Sequence, residues 1–175
     1  MECQYKIRKA RNTDKQQIHD LVRASIASEK KLANPSLVPN GFMEEFVDKM
    51  IHKGLMLVVE NDMQEVEMIG EVHDYQTAAT PEHNPSPLKE FIFLSRLHKP
   101  DCNEETQLVN WLLGEIRNKY HDVFRVKLNT PVSSNASVDY YKKMGLRVEG
   151  NFYGRLKNNA EQHRLLVPFS WFNPS

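Results

Sequence analysis

The most telling stretch of this chain reads Ser133-Ser134-Asn135-Ala136-Ser137-Val138-Asp139-Tyr140-Tyr141-Lys142-Lys143-Met144-Gly145-Leu146. Either serine at its start can cap a helix, because the hydroxyl oxygen accepts a hydrogen bond from a backbone amide two or three residues on. Val138, Tyr141 and Met144 recur at helical spacing and predict one apolar side. Gly145 can take the left-handed conformation that ends a helix. The stretch therefore predicts a short amphipathic helix, a glycine stop and then a strand.

The same stretch resembles the C-terminal motif of the GCN5-related N-acetyltransferase (GNAT) superfamily, Asn-x-x-Ala/Ser-x-x-x-Tyr-x-x-x-Gly-Phe. Counted back from Gly145, Tyr141 falls on the family tyrosine and Ser137 on the small residue, while Leu146 replaces the phenylalanine. The asparagine is displaced by one position, since Ser134 precedes Asn135. The helical spacing of the apolar residues is equally consistent with a tyrosine packed in the core at position 141, whereas the family resemblance implies a catalytic tyrosine.

The arrangement of predicted elements extends this resemblance over nearly the whole chain. Alternating and helical hydrophobic periods predict strand, two helices, three strands, helix, strand, helix and two strands. This order resembles that of the GNAT fold, an α/β (α+β) fold, and implies a mixed, mostly antiparallel sheet of six to seven strands flanked by about four helices. The predicted strands are 5–10, 55–60, 67–75, 91–97, 123–129, 146–155 and 163–169, and the predicted helices begin at residues 13, 42, 104 and 137.

Length, charge and cysteine content narrow the class of protein. The 175 residues suit a single domain, 1–175, with a sizeable core. Lysine plus arginine and aspartate plus glutamate both number 23, so no global field favours nucleic acid or an anionic membrane. Cys3 and Cys102 have neither metal-ligand spacing nor a disulfide framework, which predicts no metal site and reduced thiols. With no apolar signal or membrane-spanning run, we expect a cytoplasmic protein.

The loop that should hold a cofactor departs from the family pattern. In the superfamily, Arg/Gln-x-x-Gly-x-Gly/Ala and the following helix N-terminus hold the pyrophosphate of acetyl-coenzyme A, because glycines let the backbone approach and free amides face the anion. Here residues 99–107 contain no glycine, and Glu104 and Glu105 occupy the first helical turn after the expected cap, Asn103. A carboxylate roughly 6 Å from a phosphate charge costs about 0.7 kcal/mol in water and about 3 kcal/mol at a dielectric near 20. The sequence therefore predicts that this loop binds the pyrophosphate of acetyl-coenzyme A more weakly than a glycine-rich loop does.

The resemblance nevertheless implies acetyl-coenzyme A as co-substrate. The residues that it implies around the cofactor are Leu97, Lys99, Asn103, Thr106, Gln107, Ser134, Asn135 and Ser137.

Acetyl transfer from a thioester to an amine needs three groups. The amine must lose a proton, the carbonyl must be polarised and the departing thiolate must be protonated. The resemblance implies Tyr141 as the acid. Glu90, at the start of the fourth predicted strand, resembles the catalytic glutamate of the histone acetyltransferase branch and is the first candidate base. Glu71 and His73 are alternatives, and exposed positions on the sheet would explain all three residues as well.

These observations predict an acetyl-coenzyme A-dependent N-acetyltransferase whose acceptor is an amine of a small molecule or a protein. The alternative is a non-catalytic GNAT-like binding module that has lost efficient coenzyme A binding. Aromatic residues near the C-terminus fit core packing or a homodimer face, and both interpretations stay open; they are Phe152, Tyr153, Phe169, Trp171 and Phe172.

Overall fold

The computed structural model describes residues 4–31, 44–74, 89–96, 104–132, 135–149 and 165–174. Within these ranges the elements follow the predicted order. The strands are β1 (Lys6–Lys9), β2 (Met56–Glu60), β3 (Val66–Asp74), β4 (Lys89–Ser95), β5 (Val123–Val132), β6 (Arg147–Val148) and β7 (Leu165–Phe172). The helices are α1 (Lys15–Lys31), α2 (Glu44–His52), α3 (Glu104–Lys119) and α4 (Asn135–Lys143).

All seven strands join one sheet in the order β1-β2-β3-β4-β5-β7-β6. Neighbouring strands are antiparallel except β4 and β5, which run parallel and are connected by α3. A parallel pair needs such a crossover, because a tight turn can only reverse the chain. The predicted mixed, mostly antiparallel sheet with four helices is therefore confirmed.

Glycine ends two of the helices in the same way. Gly145 has a φ of 95°, its amide donates to the Lys142 carbonyl at 3.0 Å, and the Leu146 amide donates to the Tyr141 carbonyl at 3.1 Å. This Schellman motif satisfies carbonyls that the helix leaves free. Gly54, with a φ of 71°, ends α2 with the same pair of bonds. The predicted glycine stop after α4 is confirmed.

The sheet separates two hydrophobic cores. Side chains of alternate strand residues point to opposite faces. Phe93, Leu128 and Phe169 lie on one face and pack with α3 and α4, whereas Met56 and Ile69 lie on the other and pack with α1 and α2. We call these the α3/α4 face and the α1/α2 face.

Two strands are longer than predicted. Strand β5 continues past Asn129 to Val132, and β7 continues past Phe169 to Phe172. Each extension is hydrogen-bonded to the other strand, so the pairing sustains strand structure where local preference is weak. Strand β6 covers only Arg147–Val148, and the rest of its predicted span, from residue 150 onward, lies outside the described residues.

The C-terminal aromatic residues divide between the core and the surface. Phe169 and Trp171 are buried in the core of the α3/α4 face, whereas half of Phe172 is exposed. Phe152 and Tyr153 lie outside the described residues. Among the helices in the described ranges, none is both long enough and apolar enough to cross a membrane.

Candidate active site

The two parallel strands part before they end. Strands β4 and β5 are paired from Lys89 and Val123 to Leu94 and Asn129, where their pairing stops. Ser95 stays paired with β3, and Thr130 stays paired with β7. Beyond Leu94 and Asn129 the two strands are therefore no longer paired with each other, and we call this point in the sheet the fork.

Two buried hydroxyl groups stand at the fork. Ser95 and Thr130 are the next residues of their strands after the last pair, and by strand alternation both face the α3/α4 side, like Phe93 and Leu128. Ser95 is 1% exposed and Thr130 is 0% exposed. Neither hydroxyl oxygen has a hydrogen-bond partner among the residues that the structure describes. Burying such a group costs about 1–3 kcal/mol, so the pair points to a ligand that would satisfy it.

Two helices begin at the fork end of the sheet. The C-terminal end of α3 lies near the start of β4, because the Tyr120 and Phe91 rings are 5.6 Å apart. The helix has 16 residues, so its N-terminus lies about 24 Å away, towards the fork. Helix α4 begins three residues after β5 ends, and it contacts α3 through a 2.7 Å bond from Asn110 Nδ2 to Tyr140 Oη. Free amides at such helix starts favour an anion.

The predicted cofactor residues divide between these helix starts and segments that are not described. Thr106 and Gln107 lie in the first turn of α3, where Thr106 is half-buried and Gln107 is exposed. Asn135 and Ser137 lie in the first turn of α4. The structure thus brings both pairs to the fork end of the sheet. The remaining predicted residues, Leu97, Lys99, Asn103 and Ser134, lie outside the described residues.

Tyr141 lies on the second turn of α4 and is completely buried. Its ring centroid is 5.2 Å from that of Phe169, and Phe169 pairs with Leu128, two residues before Thr130. Tyr141 therefore lies on the same face of the sheet as the two fork hydroxyls. The Tyr141 ring is part of the core, and its position along α4 keeps it near the fork. The structure is therefore consistent both with a core tyrosine and with a catalytic one.

The three candidate bases come together on the opposite face. Strand register places His73 opposite Glu90, and Glu90 opposite Arg125. Glu71 and Lys127 flank Ile92 in the same way. By alternation, these five charged or titratable side chains share the α1/α2 face, and we call them the charged cluster: Glu71, His73, Glu90, Arg125 and Lys127.

Glu90 is held more tightly than its place at a strand start suggests. It is 1% exposed, its carboxylate pairs with the Arg125 guanidinium, and Lys127 Nζ lies 4.0 Å from Oε1. A buried carboxylate of this kind is normally paired because an isolated charge would be costly. The alternative explanation of Glu90 as a solvent-exposed residue of the sheet is therefore wrong. The pairing favours a role in holding β4 to β5.

Glu71 and His73 form a pair that reaches the surface. Glu71 Oε1 lies 2.9 Å from His73 Nε2, and the Glu71 side chain is 8% exposed, compared with 35% for His73. This distance is within the range of an ion pair, and histidine is the residue used most often for proton transfer in catalysis. Glu71 pairs with Ile92, which lies two residues, or about 7 Å, before Leu94, the last residue of β4 that pairs with β5. Among the described residues, no group of three or more histidine, cysteine or acidic side chains could hold a metal ion.

Sequence reasoning missed Ser95, Thr130 and Arg125. A weak signal exists for Ser95, a small polar residue that follows the apolar run Phe91-Ile92-Phe93-Leu94. Thr130 lies in a stretch where polar and apolar residues alternate, Val-Lys-Leu-Asn-Thr, and has no such signal. Arg125 has no local signal, since its partner Glu90 is 35 residues away in the chain. His98 and His163 lie outside the described residues.

No protein-family model matches the chain, and no curated protein matches it significantly. Solved structures do resemble it. An acetyltransferase of the GNAT family from Streptococcus agalactiae has a TM-score of 0.55 and 15% sequence identity, with 98% of this chain and 96% of that chain covered. A spermidine N-acetyltransferase from Vibrio cholerae, in complex with coenzyme A and spermine, has a TM-score of 0.53 and 16% identity, with 97% and 96% covered.

A third similar structure is the PaiA N-acetyltransferase from Thermoplasma acidophilum in complex with coenzyme A. Its TM-score is 0.51 at 13% identity, with 97% of this chain and 99% of that chain covered. At such identities the likeness concerns the backbone, and it extends over almost the full length of both chains. Together with the seven-stranded sheet, the parallel pair and the C-terminal motif, it shows that this chain has the GNAT fold.

Proposed function

We propose that this protein is an acetyl-coenzyme A-dependent N-acetyltransferase. The observation that carries the proposal is the fork, where two parallel strands part beside the buried hydroxyls of Ser95 and Thr130 and below the N-termini of α3 and α4. The coenzyme A complexes of two proteins with the same fold support it further. The charge balance and the two separated cysteines fit a cytoplasmic enzyme.

The residues at the fork fit this co-substrate. A gap between two strand edges accepts a thin polar chain, and the helix N-termini supply amides for the pyrophosphate. Ser95 and Thr130 would hold the chain, and the first turns of α3 and α4, with Thr106, Gln107 and Ser137, would hold the phosphates. When bound, acetyl-coenzyme A supplies an acetyl group activated as a thioester.

The two faces of the sheet have different roles in this proposal. On the α1/α2 face, His73 takes a proton from the acceptor ammonium, and Glu71 orients the imidazole and balances its charge. Glu90 is the alternative base, although its pairing with Arg125 leaves it less available. On the α3/α4 face, Tyr141 donates a proton to the departing sulfur.

Coenzyme A binding and acetyl transfer can be tested separately. Calorimetry with coenzyme A measures binding, and release of free thiol from acetyl-coenzyme A measures transfer to each amine of a panel. Spermidine and spermine come first, because the Vibrio cholerae protein with this fold is a spermidine N-acetyltransferase. Lysine peptides, peptide N-termini and aminoglycosides complete the panel.

Three outcomes are informative. Binding with transfer to any amine would support the proposal. Binding without transfer to any amine on the panel would favour the non-catalytic binding module. The absence of binding at millimolar coenzyme A would overturn the assignment of the fork as a cofactor site.

A further inference from the structure

We infer that the acceptor of this enzyme is an amine that carries a carboxylate at the far end of an extended chain, as the side-chain amine of lysine does. The inference rests on the proposed function and names the chemical class of its acceptor. It is carried by one row of side chains across the α1/α2 face, which we call the acceptor row: Glu71, Ile92, Lys127, Ser170 and Arg147.

Strand register defines the acceptor row. Each of its residues pairs directly with the next one, on the neighbouring strand, in the order β3, β4, β5, β7 and β6. Directly paired residues point to the same face of a sheet. Arg147 lies between Leu146 and Val148, which both pack in the core of the α3/α4 face, so its side chain points to the α1/α2 face.

The chemical character of the side chains changes along the row. At the β3 end, the buried carboxylate of Glu71 lies 2.9 Å from His73 Nε2. Ile92 follows as a half-buried apolar side chain, and Lys127 and Arg147 supply positive charge at the other end. An ammonium, a run of methylenes and a carboxylate match these three parts in the same order.

The spacing of the row favours a long amine over an α-amino group. Neighbouring strands lie about 4.8 Å apart, so the backbones of β3 and β5 are separated by about 10 Å. An α-amino group is too close to its own carboxylate to reach both ends of the row. The side-chain amine of lysine is separated from the carboxylate by an extended chain and can reach both.

The positive end of the row is open to an anion. Arg147 is exposed and contacts no acidic side chain among the described residues; its guanidinium carbon lies 5.7 Å from the centroid of the Phe172 ring. Such a contact holds the guanidinium without neutralising it. The Lys127 side chain is 40% exposed, and its Nζ lies 4.0 Å from Glu90, a carboxylate that already pairs with Arg125.

Ser170 lies between the two cations. It is the smallest side chain of the row and is 3% exposed, so it does not fill the space between Lys127 and Arg147. Ammonium and guanidinium groups both donate charge-assisted hydrogen bonds to a carboxylate. A carboxylate above Ser170 can therefore meet both cations, whereas the second ammonium of a polyamine would be repelled there.

Lysine and cadaverine are the matched probes, because cadaverine is lysine without its carboxylate. With acetyl-coenzyme A as donor, kcat/KM should be about tenfold higher for lysine or more, and mass spectrometry of the product should place the acetyl group on the side-chain nitrogen. The preference should shrink at high salt, because salt screens exposed charges.

Arg147→Gln tests the positive end, since it removes a charge without breaking an ion pair within the described residues. It should raise KM for lysine about tenfold with little change in kcat, and it should not weaken the use of cadaverine. Arg147→Glu should reverse the preference between the two amines. Arg117→Gln, in an exposed arginine of the last turn of α3, is the matched control and should leave both amines unaffected.

Other outcomes would overturn the inference. If cadaverine and spermidine are acetylated at least as well as lysine, the inference is wrong while the proposed function stands. A preference for lysine that survives both Arg147→Gln and Lys127→Gln would show that the carboxylate binds elsewhere, and acetylation of the α-nitrogen would contradict the spacing. If no amine is acetylated, the proposed function fails and this inference fails with it.

Discussion

Glu71 and His73 are two residues apart on β3, and Glu71 Oε1 lies 2.9 Å from His73 Nε2. If His73 is the base, His73→Gln should lower transfer at pH 7 by about 10²-fold to 10⁴-fold, the usual contribution of a positioned base. Glu71→Gln should lower it less, because the imidazole that accepts the proton is still present and only its carboxylate neighbour is lost. The measurement is kcat/KM against pH with the best amine of the panel.

Glu90→Gln provides the comparison for that series. Removing the carboxylate leaves the partly buried Arg125 without its partner, so we expect a loss of stability of about 1–3 kcal/mol in urea unfolding. The pH profile of transfer should keep its shape. A profile altered by Glu90→Gln and untouched by His73→Gln would move the base to Glu90.

Tyr141→Phe tests the proposed proton donor. The substitution keeps the ring that packs on Phe169 and removes only the hydroxyl. We expect turnover to fall by about ten-fold to a thousand-fold, while coenzyme A affinity and Tm change little, because the proton is needed only once the carbon–sulfur bond breaks. Normal turnover with a lower Tm would identify a core tyrosine whose hydroxyl serves a buried partner.

At the scale of elements, an ionic contact joins β1 to the start of α1. Arg8 Nη1 and Nη2 donate to both carboxylate oxygens of Asp14 at 2.7 and 2.8 Å, and Nη2 also reaches Glu60 at 3.0 Å. The Arg11 amide adds a 2.7 Å bond to Asp14. Arg8 is the main cause that holds the pKa of Asp14 below its ordinary value. The contact closes the turn that carries the chain from the sheet edge to the α1/α2 face.

This contact predicts a pH-dependent contribution to stability. Because the folded pKa of Asp14 is lowered, its stabilisation is complete above the unfolded pKa, near 3.9, and is lost as pH falls through the folded value. Asp14→Asn should therefore cost about 3 kcal/mol at pH 7. The difference from the unsubstituted protein should shrink below about pH 4. Urea unfolding at pH 7, 5 and 3 measures it, and a difference independent of pH would contradict the ionic explanation.

Strands β3 and β4 depend on a close approach at Gly70. A Cβ added there would lie 2.6 Å from the Phe93 ring, so the ring occupies the space that a side chain would need. Gly70→Ala should destabilise the protein by about 1–3 kcal/mol through overpacking. Adding Phe93→Leu should recover part of the loss in chemical denaturation. Gly114→Ala, on α3 where nothing lies within 4 Å of the added Cβ, is the control and should be neutral or stabilising.

At the scale of the whole molecule, equal numbers of basic and acidic residues leave no net field. The salt dependence of coenzyme A binding should therefore come from charges near the ligand. Helix α3 begins at Glu104, so Glu104 and Glu105 occupy the turn proposed to face the pyrophosphate. We expect a Kd of tens of micromolar or weaker, about one or two tenfold steps above a glycine-rich site. A submicromolar Kd would contradict this electrostatic argument.

Glu104→Gln combined with Glu105→Gln should tighten coenzyme A binding by roughly three-fold to a hundred-fold, most strongly at low ionic strength because salt screens the repulsion. Calorimetry between 20 mM and 500 mM salt measures the effect. Glu115→Gln is the control, since Glu115 lies near the other end of α3 and pairs with Lys119 at 3.1 Å. Unchanged affinity of the double variant at every salt concentration would show that the two glutamates do not face the ligand.

Local sequence patterns were enough to predict the features that depend on neighbours a few residues apart. The order of helices and strands, the start of α3 at Glu104 and the glycine stop at Gly145 all follow from short-range periodicity and local hydrogen bonds. The family resemblance at residues 133–146 implied in addition the GNAT fold and a catalytic role for Tyr141. Each of the local features is specified within one or two turns of chain.

Contacts between distant segments set which strands pair, where β4 and β5 part and which residues face the fork. Glu90 is buried beside Arg125, which lies 35 residues further along the chain. No local sequence pattern indicates a partner that distant. Ser95 and Thr130 are ordinary strand residues in the sequence, and only the register places both immediately after the last pair of β4 and β5, where both are buried. The charged cluster likewise exists only because three strands align Glu71, His73, Glu90, Arg125 and Lys127 on one face. Strand pairing depends on contacts between distant segments. The residues of this site are therefore brought together by the pairing of strands, and no single stretch of sequence contains them.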